Sequence, residues 1–374
     1  MKIWFALLFL RQNTYLMMDF LGKRKKVSPL QFCCMAAVVI LFFISLLGCS
    51  NSEEIPDVSS VKVSLDTRRL DLDLAKIDTN HISIGVQQLY QKYPDFLNFY
   101  LDTLMGFDIK GNYSDTAKGM QLGLKTFLTF KDYRGLFDSV AAHYPDTKEI
   151  DNRLTQGFQF MKHYFPKYEI PKIIYLVSGL HNWGAFTYES NKVGIGLDMF
   201  LGASYPFYNS VGLPEYLTTH RQAVYIPVAV FSTIYQDTHP FVPDNRSLLD
   251  MMIQKGKEQY FLTKIIPHTP DSVRLGYTSN QMDWCNANEV MVYNFFISQQ
   301  LLYSKDGQKI YRYVFDGPTS VGMPAQSPGN IGTWMGLQIV KSYVQTHPSV
   351  TLQQLIEQHI DAQNFLQESK YKPR

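Results

Sequence analysis

The sequence is poor in cysteine, and its histidines lack the spacing of a helical zinc site. Only four cysteines and nine histidines occur in 374 residues. No two histidines lie three or four positions apart, the spacing that directs two imidazoles at one metal ion from one face of a helix. The sequence also lacks a Walker loop, a dinucleotide-binding fingerprint and a Gly-x-Ser-x-Gly elbow. These absences predict no metal site of standard spacing and no nucleotide cofactor.

The chain carries little net charge, and its positive charge is concentrated near the N-terminus. The formal net charge is +2, but residues 1–48 alone contribute +5, so the other 326 residues sum to about −3. The charged residues of this segment are Lys2, Arg11, Lys23, Arg24, Lys25 and Lys26 against Asp19. A mildly acidic body offers no cationic surface for nucleic acid or for an anionic bilayer. We therefore predict no nucleic-acid partner.

The N-terminal segment has the pattern of an export signal. A basic run, Lys23–Lys26, precedes the continuous apolar run Met35–Leu47, which is too short to remain as a membrane span. The residues that end this run, Leu46-Leu47-Gly48-Cys49, resemble the lipobox of bacterial lipoprotein precursors. The resemblance implies that residues 1–48 are a signal peptide and that Cys49 becomes lipidated. The alternative, a buried helix ending at a free cysteine, leaves the polar segment after Cys49 unexplained.

Lipidation of Cys49 predicts that the N-terminal acyl chains bind the membrane. It predicts a location in the cell envelope, with the outer membrane favoured. Upstream of the signal, Met1–Leu16 forms a second apolar stretch. Met17 or Met18 is a more ordinary start for a signal peptide, so the first residues fit an over-extended reading of the gene.

The remainder of the chain is predicted to be a tether followed by one domain. Polar residues predict a flexible tether over residues 49–62, and residues 63–374 are predicted to form a single globular domain. After signal removal and acylation of Cys49, Cys285 is the remaining thiol, so no internal disulfide is predicted. A composition of 45% hydrophobic and 14% aromatic residues is sufficient for a core without one.

The hydrophobic pattern predicts an α+β fold that is predominantly helical, with a small antiparallel sheet packed against helices. The apolar run Lys172–Gly179 is predicted as the central strand, and Ala185–Tyr188 with Val193–Leu197 as a hairpin. Trp284 and Trp334 are predicted to be buried on helices. Helices are predicted over Asp132–Tyr144, from Asp146 with Glu149 as capping partner, after Pro227, from Ser247, from Thr278 through Phe296, over Gly332–Val344, and over Leu352–Phe365 capped by Thr351 with Gln354.

Five residues are candidates for lining a cleft: Asp198, His220, Glu258, Trp284 and Glu289. Asp198 ends the predicted hairpin, where the alternative role is a cap for the following segment. Glu258 and Glu289 lie near aromatic residues on predicted helices, where the alternative is a solvated helix face.

Several short strings follow one another in order between Lys172 and the C-terminus. They include Ile195–Gly202, Leu248–Ile253, Gly276–Thr278, Asp283–Cys285 with Glu289, Asp316–Pro318, Ser327–Gly332, Trp334–Gly336 and Glu368–Pro373. Together these strings resemble the gliding-motility lipoprotein GldB family of Bacteroidetes. The resemblance implies a cell-envelope lipoprotein linked to gliding and its secretion apparatus, without an assigned reaction.

The resemblance further implies a distant likeness to zinc peptidases that have lost their metal ligands, and hence a zincin-like fold without the metal site. Such a site needs a second imidazole one turn after the first and a glutamate from another helix. Here Val224 stands one turn after His220, and Lys255 stands where the acid is needed. We therefore predict no catalytic, cofactor-binding or metal-binding residues.

The predicted function is a non-catalytic scaffold or accessory factor of an envelope or secretion assembly, with an envelope protein as partner. One alternative is a zinc-peptidase-like enzyme with a non-standard site, in which His220, Asp198 and Glu258 converge. The other is a glycan-binding surface lipoprotein that stacks sugar rings on the aromatic loop Tyr205–Tyr208 and on Tyr216.

Overall fold

The computed structural model describes residues 54–107, 109, 113, 118–181, 183–359 and 361–374. The chain groups into two units, Met1–Glu54 and Ile55–Arg374. The predicted signal peptide and lipidation site therefore lie outside the described residues. None of the helices in the described part of the chain is long and apolar enough to cross a bilayer.

Four short strands form one sheet. They are β1 (Thr67–Arg69), β2 (Lys172–Leu176), β3 (Ala185–Tyr188) and β4 (Lys192–Gly196), in the order β1-β2-β4-β3. The predicted central strand and hairpin are confirmed, but the prediction of an antiparallel sheet is wrong, because only β3 and β4 pair antiparallel. The chain reverses between β2 and β3 and again in the hairpin, so β4 runs in the direction of β2 and pairs with it in parallel. β2 is buried from its second residue to its last, as expected for a central parallel strand.

Helices make up most of the rest, which confirms the α+β, predominantly helical class. Those before the sheet's second strand are α1 (Leu70–Ala75), α2 (Ile82–Lys92), α3 (Phe96–Asn98) with a π-helical turn (Phe99–Leu104), α4 (Lys118–Thr129), α5 (Lys131–His143) and α6 (Lys148–Tyr164). Those after the hairpin are a 3₁₀ turn (Leu197–Phe200), α7 (Phe207–Ser210), α8 (Glu215–Thr218), a 3₁₀ turn (Ala223–Tyr225), α9 (Ile226–Thr238), α10 (Leu248–Ile265), α11 (Asp271–Leu275), α12 (Ser279–Ala287), α13 (Glu289–Ser298), α14 (Gly307–Ile310), a 3₁₀ turn (Tyr311–Tyr313), α15 (Ile331–Thr346), α16 (Leu352–Glu357) and α17 (Ala362–Ser369).

The helix starts follow the local capping chemistry. Reciprocal capping boxes start α12 at Thr278 with Gln281 and α16 at Thr351 with Gln354, as predicted. The predicted box at Asp146 is wrong by one residue, because Thr147 is the N-cap of α6 and makes no side-chain cap hydrogen bond.

Two predicted helices are each divided into two. The helix from Thr278 ends at Ala287, because the Asn288 side chain donates to the carbonyl of Trp284 at 2.8 Å and α13 begins at the next residue. The helix predicted over 352–365 ends at Glu357, where Gln358 turns extended. Asp361 then caps α17 by accepting from two backbone amides.

The C-terminal half of the core is built on α10 crossing α15. The helices cross where two glycines meet: a Cβ on Gly256 would lie 2.3 Å from the Gly336 backbone. Trp334 on α15 is buried, as predicted. Trp284 is only half-buried, because it lies on the short helix α12, whose one fully buried residue is Cys285. The prediction that both tryptophans are buried is therefore wrong for Trp284.

The segment before β1 lies against the domain without regular secondary structure. Val58 is 6% exposed, and the Gln159 side chain donates to the carbonyl of Val61 at 2.9 Å. Part of the predicted tether, residues 49–62, is thus packed on the core from Val58 onwards.

Candidate functional site

Asp198 is a buried carboxylate that fastens the loop after β2. Its Oδ1 atom accepts from the Ser178 amide at 2.8 Å, and Oδ2 accepts from the Ser178 hydroxyl and the Leu180 amide at 2.9 and 2.8 Å. Burial raises its pKa, and these hydrogen bonds act in the opposite direction. Gly179 and Leu180 both have positive φ angles, so this carboxylate stabilises a loop of unfavourable backbone conformation. Its side chain therefore does not cap the following segment.

His220 lines a cavity of about 340 Å³ that also touches Asp316 and Asn330. Its Nε2 atom donates to the carbonyl of Gly276 at 2.7 Å, since a carbonyl can only accept. Val224 lies in a 3₁₀ turn, and α9 begins only at Ile226, so His220 and Val224 do not share a helical face. The predicted pairing of these positions as a lost metal site is therefore wrong.

Glu258 is the buried member of a polar cluster between α9 and α10, in which Ser232 is half-buried and Gln236 is exposed. Its Oε1 atom accepts from the Ser232 hydroxyl and, at 2.7 Å, from the Gln236 amide. Its Oε2 atom pairs with the ammonium of Lys255 at 3.4 Å. That ammonium also lies 4.6 Å from the ring centroid of Phe241. Glu258 is 4% exposed, so it is not on a solvated helix face.

The cluster of Ser232, Gln236, Glu258 and Lys255 has the layout of a two-helix metal site. Ser232 and Gln236 are four positions apart on α9, and Glu258 reaches them from the neighbouring helix. Two imidazoles at such positions with a glutamate from another helix make a His₂Glu zinc site, and the residue after the first imidazole is the general base. The base position is held by Thr233, whose hydroxyl donates to the carbonyl of Ala185 on β3 at 3.3 Å.

The residues present do not fit a zinc ion. A neutral hydroxyl and a neutral amide replace the imidazoles that zinc prefers, and a lysine ammonium faces the carboxylate that would be the third ligand. In the described part of the chain, no group of three or more His, Cys, Asp and Glu residues is arranged to hold a metal ion. The acid that faces α9 is Glu258, not the residue at position 255.

Trp284 and Glu289 lie on the consecutive short helices α12 and α13. Glu289 accepts from the Tyr371 hydroxyl at 2.7 Å, and burial together with this hydrogen bond raises the pKa of Tyr371. Next to Trp284, burial raises the pKa of the Cys285 thiol to about 12, so the sulfur stays protonated at neutral pH. Among the described residues, no hydrogen bond or ion pair joins any two of the five candidates.

The aromatic loop proposed for sugar stacking is largely structural. Tyr208 is fully buried, and its hydroxyl donates to the carbonyl of Asp198 at 2.8 Å and accepts from the Leu201 amide at 2.9 Å. Phe207 remains 45% exposed. One exposed ring in this loop does not form a stacking platform.

The chain is a predominantly helical α+β protein in which a polar cluster of Ser232, Gln236, Lys255 and Glu258 lies between α9 and α10. The family model described as gliding motility protein GldB matches residues 51–373, and the chain belongs to this family. It is a family of gliding-motility lipoproteins and is not a known enzyme family. Neither the curated proteins nor the solved structures include a match to the chain.

The α9–α10 cluster was not predicted, because the spacing of histidines alone does not reveal it. Ser232 and Gln236 stand four positions apart in the second half of α9, after the apolar run Ile226–Phe231, and this spacing is the signal that the sequence contains. Any two polar residues one turn apart in a buried helix are candidates for such a cluster.

Proposed function

We propose that the chain is a non-catalytic scaffold or accessory factor of an envelope assembly, held at the membrane by the lipid on Cys49. Membership of the GldB family supports a gliding-motility protein of the cell envelope. The observation that carries the non-catalytic part is the ion pair of Lys255 with Glu258 inside the α9–α10 cluster.

The cluster engages both carboxylate oxygens of Glu258. Its Oε1 atom accepts two hydrogen bonds, and its Oε2 atom faces the Lys255 ammonium. A general base must offer a lone pair to the proton that it removes. Thr233 has no carboxylate to serve in its place. The ammonium supplies, within the fold, the positive charge that a metal ion supplies in a peptidase of this layout.

The test replaces the chromosomal copy in the parent organism by Glu258→Gln. The amide keeps the shape of the side chain and one acceptor oxygen but removes its basicity. We expect motility and secretion to persist when the variant reaches wild-type abundance. Loss of both at wild-type abundance would contradict a non-catalytic role.

Two further variants calibrate this experiment. Glu289→Gln changes a half-buried carboxylate outside the cluster and serves as the matched control for loss of a charge. Cys49→Ser removes the proposed lipid attachment and should abolish function, which shows that the assay responds to this protein.

A further inference from the structure

A groove with one apolar half and one half that contains a buried lysine ammonium runs between the end of α9, α10 and α16. It consists of two adjoining cavities of about 520 and 550 Å³. The two cavities share Tyr235, His239 and Ile356, so they are continuous across these side chains. None of the four residues of the α9–α10 cluster is among the side chains that line either cavity.

The first half of the groove is lined by side chains that offer hydrocarbon and aromatic surface. Met161, Phe165, Ile234, Phe261 and Ile356 form its walls. The ring of Phe261 packs against Tyr235 and Phe165, which holds this wall in place. Surfaces of this kind bind an apolar chain or ring by excluding water.

The second half contains a buried ammonium without a carboxylate partner. Lys257 is 8% exposed, and its Nζ atom donates to the carbonyl of Gln358 at 2.9 Å. None of the ion pairs among the described residues involves it. Burial lowers its pKa to about 8, and the ring of Phe365 lies 5.5 Å from the nitrogen. An ammonium has three donors, so this charge is incompletely compensated.

Further donors line the same cavity as Lys257, together with two acids, neither of which forms an ion pair with it among the described residues. The Nε2 atom of Gln358 is buried and has no hydrogen-bond partner among the described residues. Arg246, His239 and His359 line the same cavity. Its two acids are Asp250, which accepts from Ser247 in a capping box, and Glu357, which accepts from Gln353 at 2.9 Å.

We propose that this groove binds an amphipathic anion: an apolar chain in the half lined by Phe165 and Phe261, and a carboxylate or phosphate head at Lys257 and Gln358. A buried ammonium beside an unpaired amide donor is complementary to an anionic oxygen. A hydrocarbon chain is favoured over a peptide as the occupant of the apolar half. A bound peptide backbone needs hydrogen-bond partners along its length, whereas the walls of this half are formed by apolar side chains.

The test is photocrosslinking of the full chain reconstituted in phosphatidylcholine nanodiscs, with dodecanoate carrying a diazirine on its chain as the probe. We expect the label to map to residues 234–239 and 353–359. Unlabelled dodecanoate and dodecyl phosphate should compete, and their relative strength distinguishes a carboxylate from a phosphate head. Dodecanol and dodecyltrimethylammonium should not compete.

The variant Lys257→Met keeps the length of the side chain and removes its charge, and it should lose about tenfold in labelling, or 1.4 kcal/mol. Lys341→Met, which removes a half-buried lysine paired with Asp271 on another surface, should label like wild type. If Lys257→Met does not fold, Arg246→Gln changes an exposed residue at the head and should lose severalfold.

Three results would overturn the proposal: undiminished labelling of both charge variants, equal competition by dodecanol, or stronger competition by an apolar peptide with a free C-terminal carboxylate. The last result would assign the groove to a peptide. All of these readouts are independent of the role proposed for Glu258.

Discussion

The carboxylate of Asp198 stabilises the conformation of the loop after β2 by accepting three hydrogen bonds from Ser178 and Leu180. Asp198→Asn keeps its size but places an amide NH₂ against donors at Ser178 or Leu180. We expect the free energy of unfolding to fall by about 2–4 kcal/mol, because a buried donor then faces a donor. Ser178→Ala, which removes one hydroxyl, is the milder control at about 1 kcal/mol. Urea unfolding that shows equal stabilities for the two variants would contradict this assignment.

The lowered pKa of Lys257 predicts that this residue adds to the free energy of unfolding as the pH rises from about 8 to 10.5. Its pKa is about 8 when folded and 10.5 when unfolded. Between these values the Lys257 side chain of the unfolded chain binds more protons, so the contribution of Lys257 to the free energy of unfolding rises with pH. The rise, on the order of 1–3 kcal/mol, should be seen as the difference between wild type and Lys257→Met. The subtraction removes the opposite effect of Cys285, whose raised pKa lowers stability above pH 9. His239, with its pKa lowered by burial, is neutral throughout this range.

At the residue scale, the sequence could indicate which residues are important, but it could not indicate which side chains surround them in the fold. Asp198 could be singled out because it ends the hairpin, but its partners lie in a loop 20 residues earlier. Lys257 could not be recognised, because a lone lysine on a helix ordinarily faces solvent. Its burial comes from Gln358 and Phe365, about a hundred residues further along the chain.

The crossing of α10 and α15 gives a prediction at the scale of elements. A Cβ on Gly336 would lie 1.8 Å from the carbonyl oxygen of Met252, so Gly336→Ala must separate the two helices. We expect a loss of about 1–3 kcal/mol or more in the free energy of unfolding.

Gly135 is the matched control for this substitution, since it lies in helix α5 and a Cβ added there would have no other atom within 4 Å. Gly135→Ala should stabilise the protein by about 0.5–1 kcal/mol. Thermal unfolding in which both variants change in the same direction would contradict the helix crossing.

Elements were predictable where their determinants are local. Thr278 and Thr351 start helices because their caps need only the next three residues. The break at Asn288 was missed, since the helix that follows it is largely apolar from Val290 to Phe296 and continues the helical pattern. The parallel pairing of β1 with β2 could not be predicted from the sequence either, because it joins Thr67 to Ile173 across more than a hundred residues.

At the scale of the whole molecule, the proposed lipid carries the attachment to the membrane. Cys49→Ser should move the protein from the membrane fraction to the soluble fraction, because the acidic body offers no cationic surface to the bilayer. Labelling with a clickable fatty acid should mark wild type and not the variant. Wild-type protein that takes up no fatty acid would contradict the lipidation of Cys49.

The central claim is that the α9–α10 cluster replaces a metal ion with the ammonium of Lys255. The most direct measurement is the zinc content per chain of protein purified without chelator, beside Glu258→Gln and the triple variant Ser232→His, Gln236→His, Lys255→Met. We expect wild type and Glu258→Gln to contain well below one zinc ion per chain, and the triple variant to gain zinc. Stoichiometric zinc in wild type that is lost in Glu258→Gln would contradict the claim.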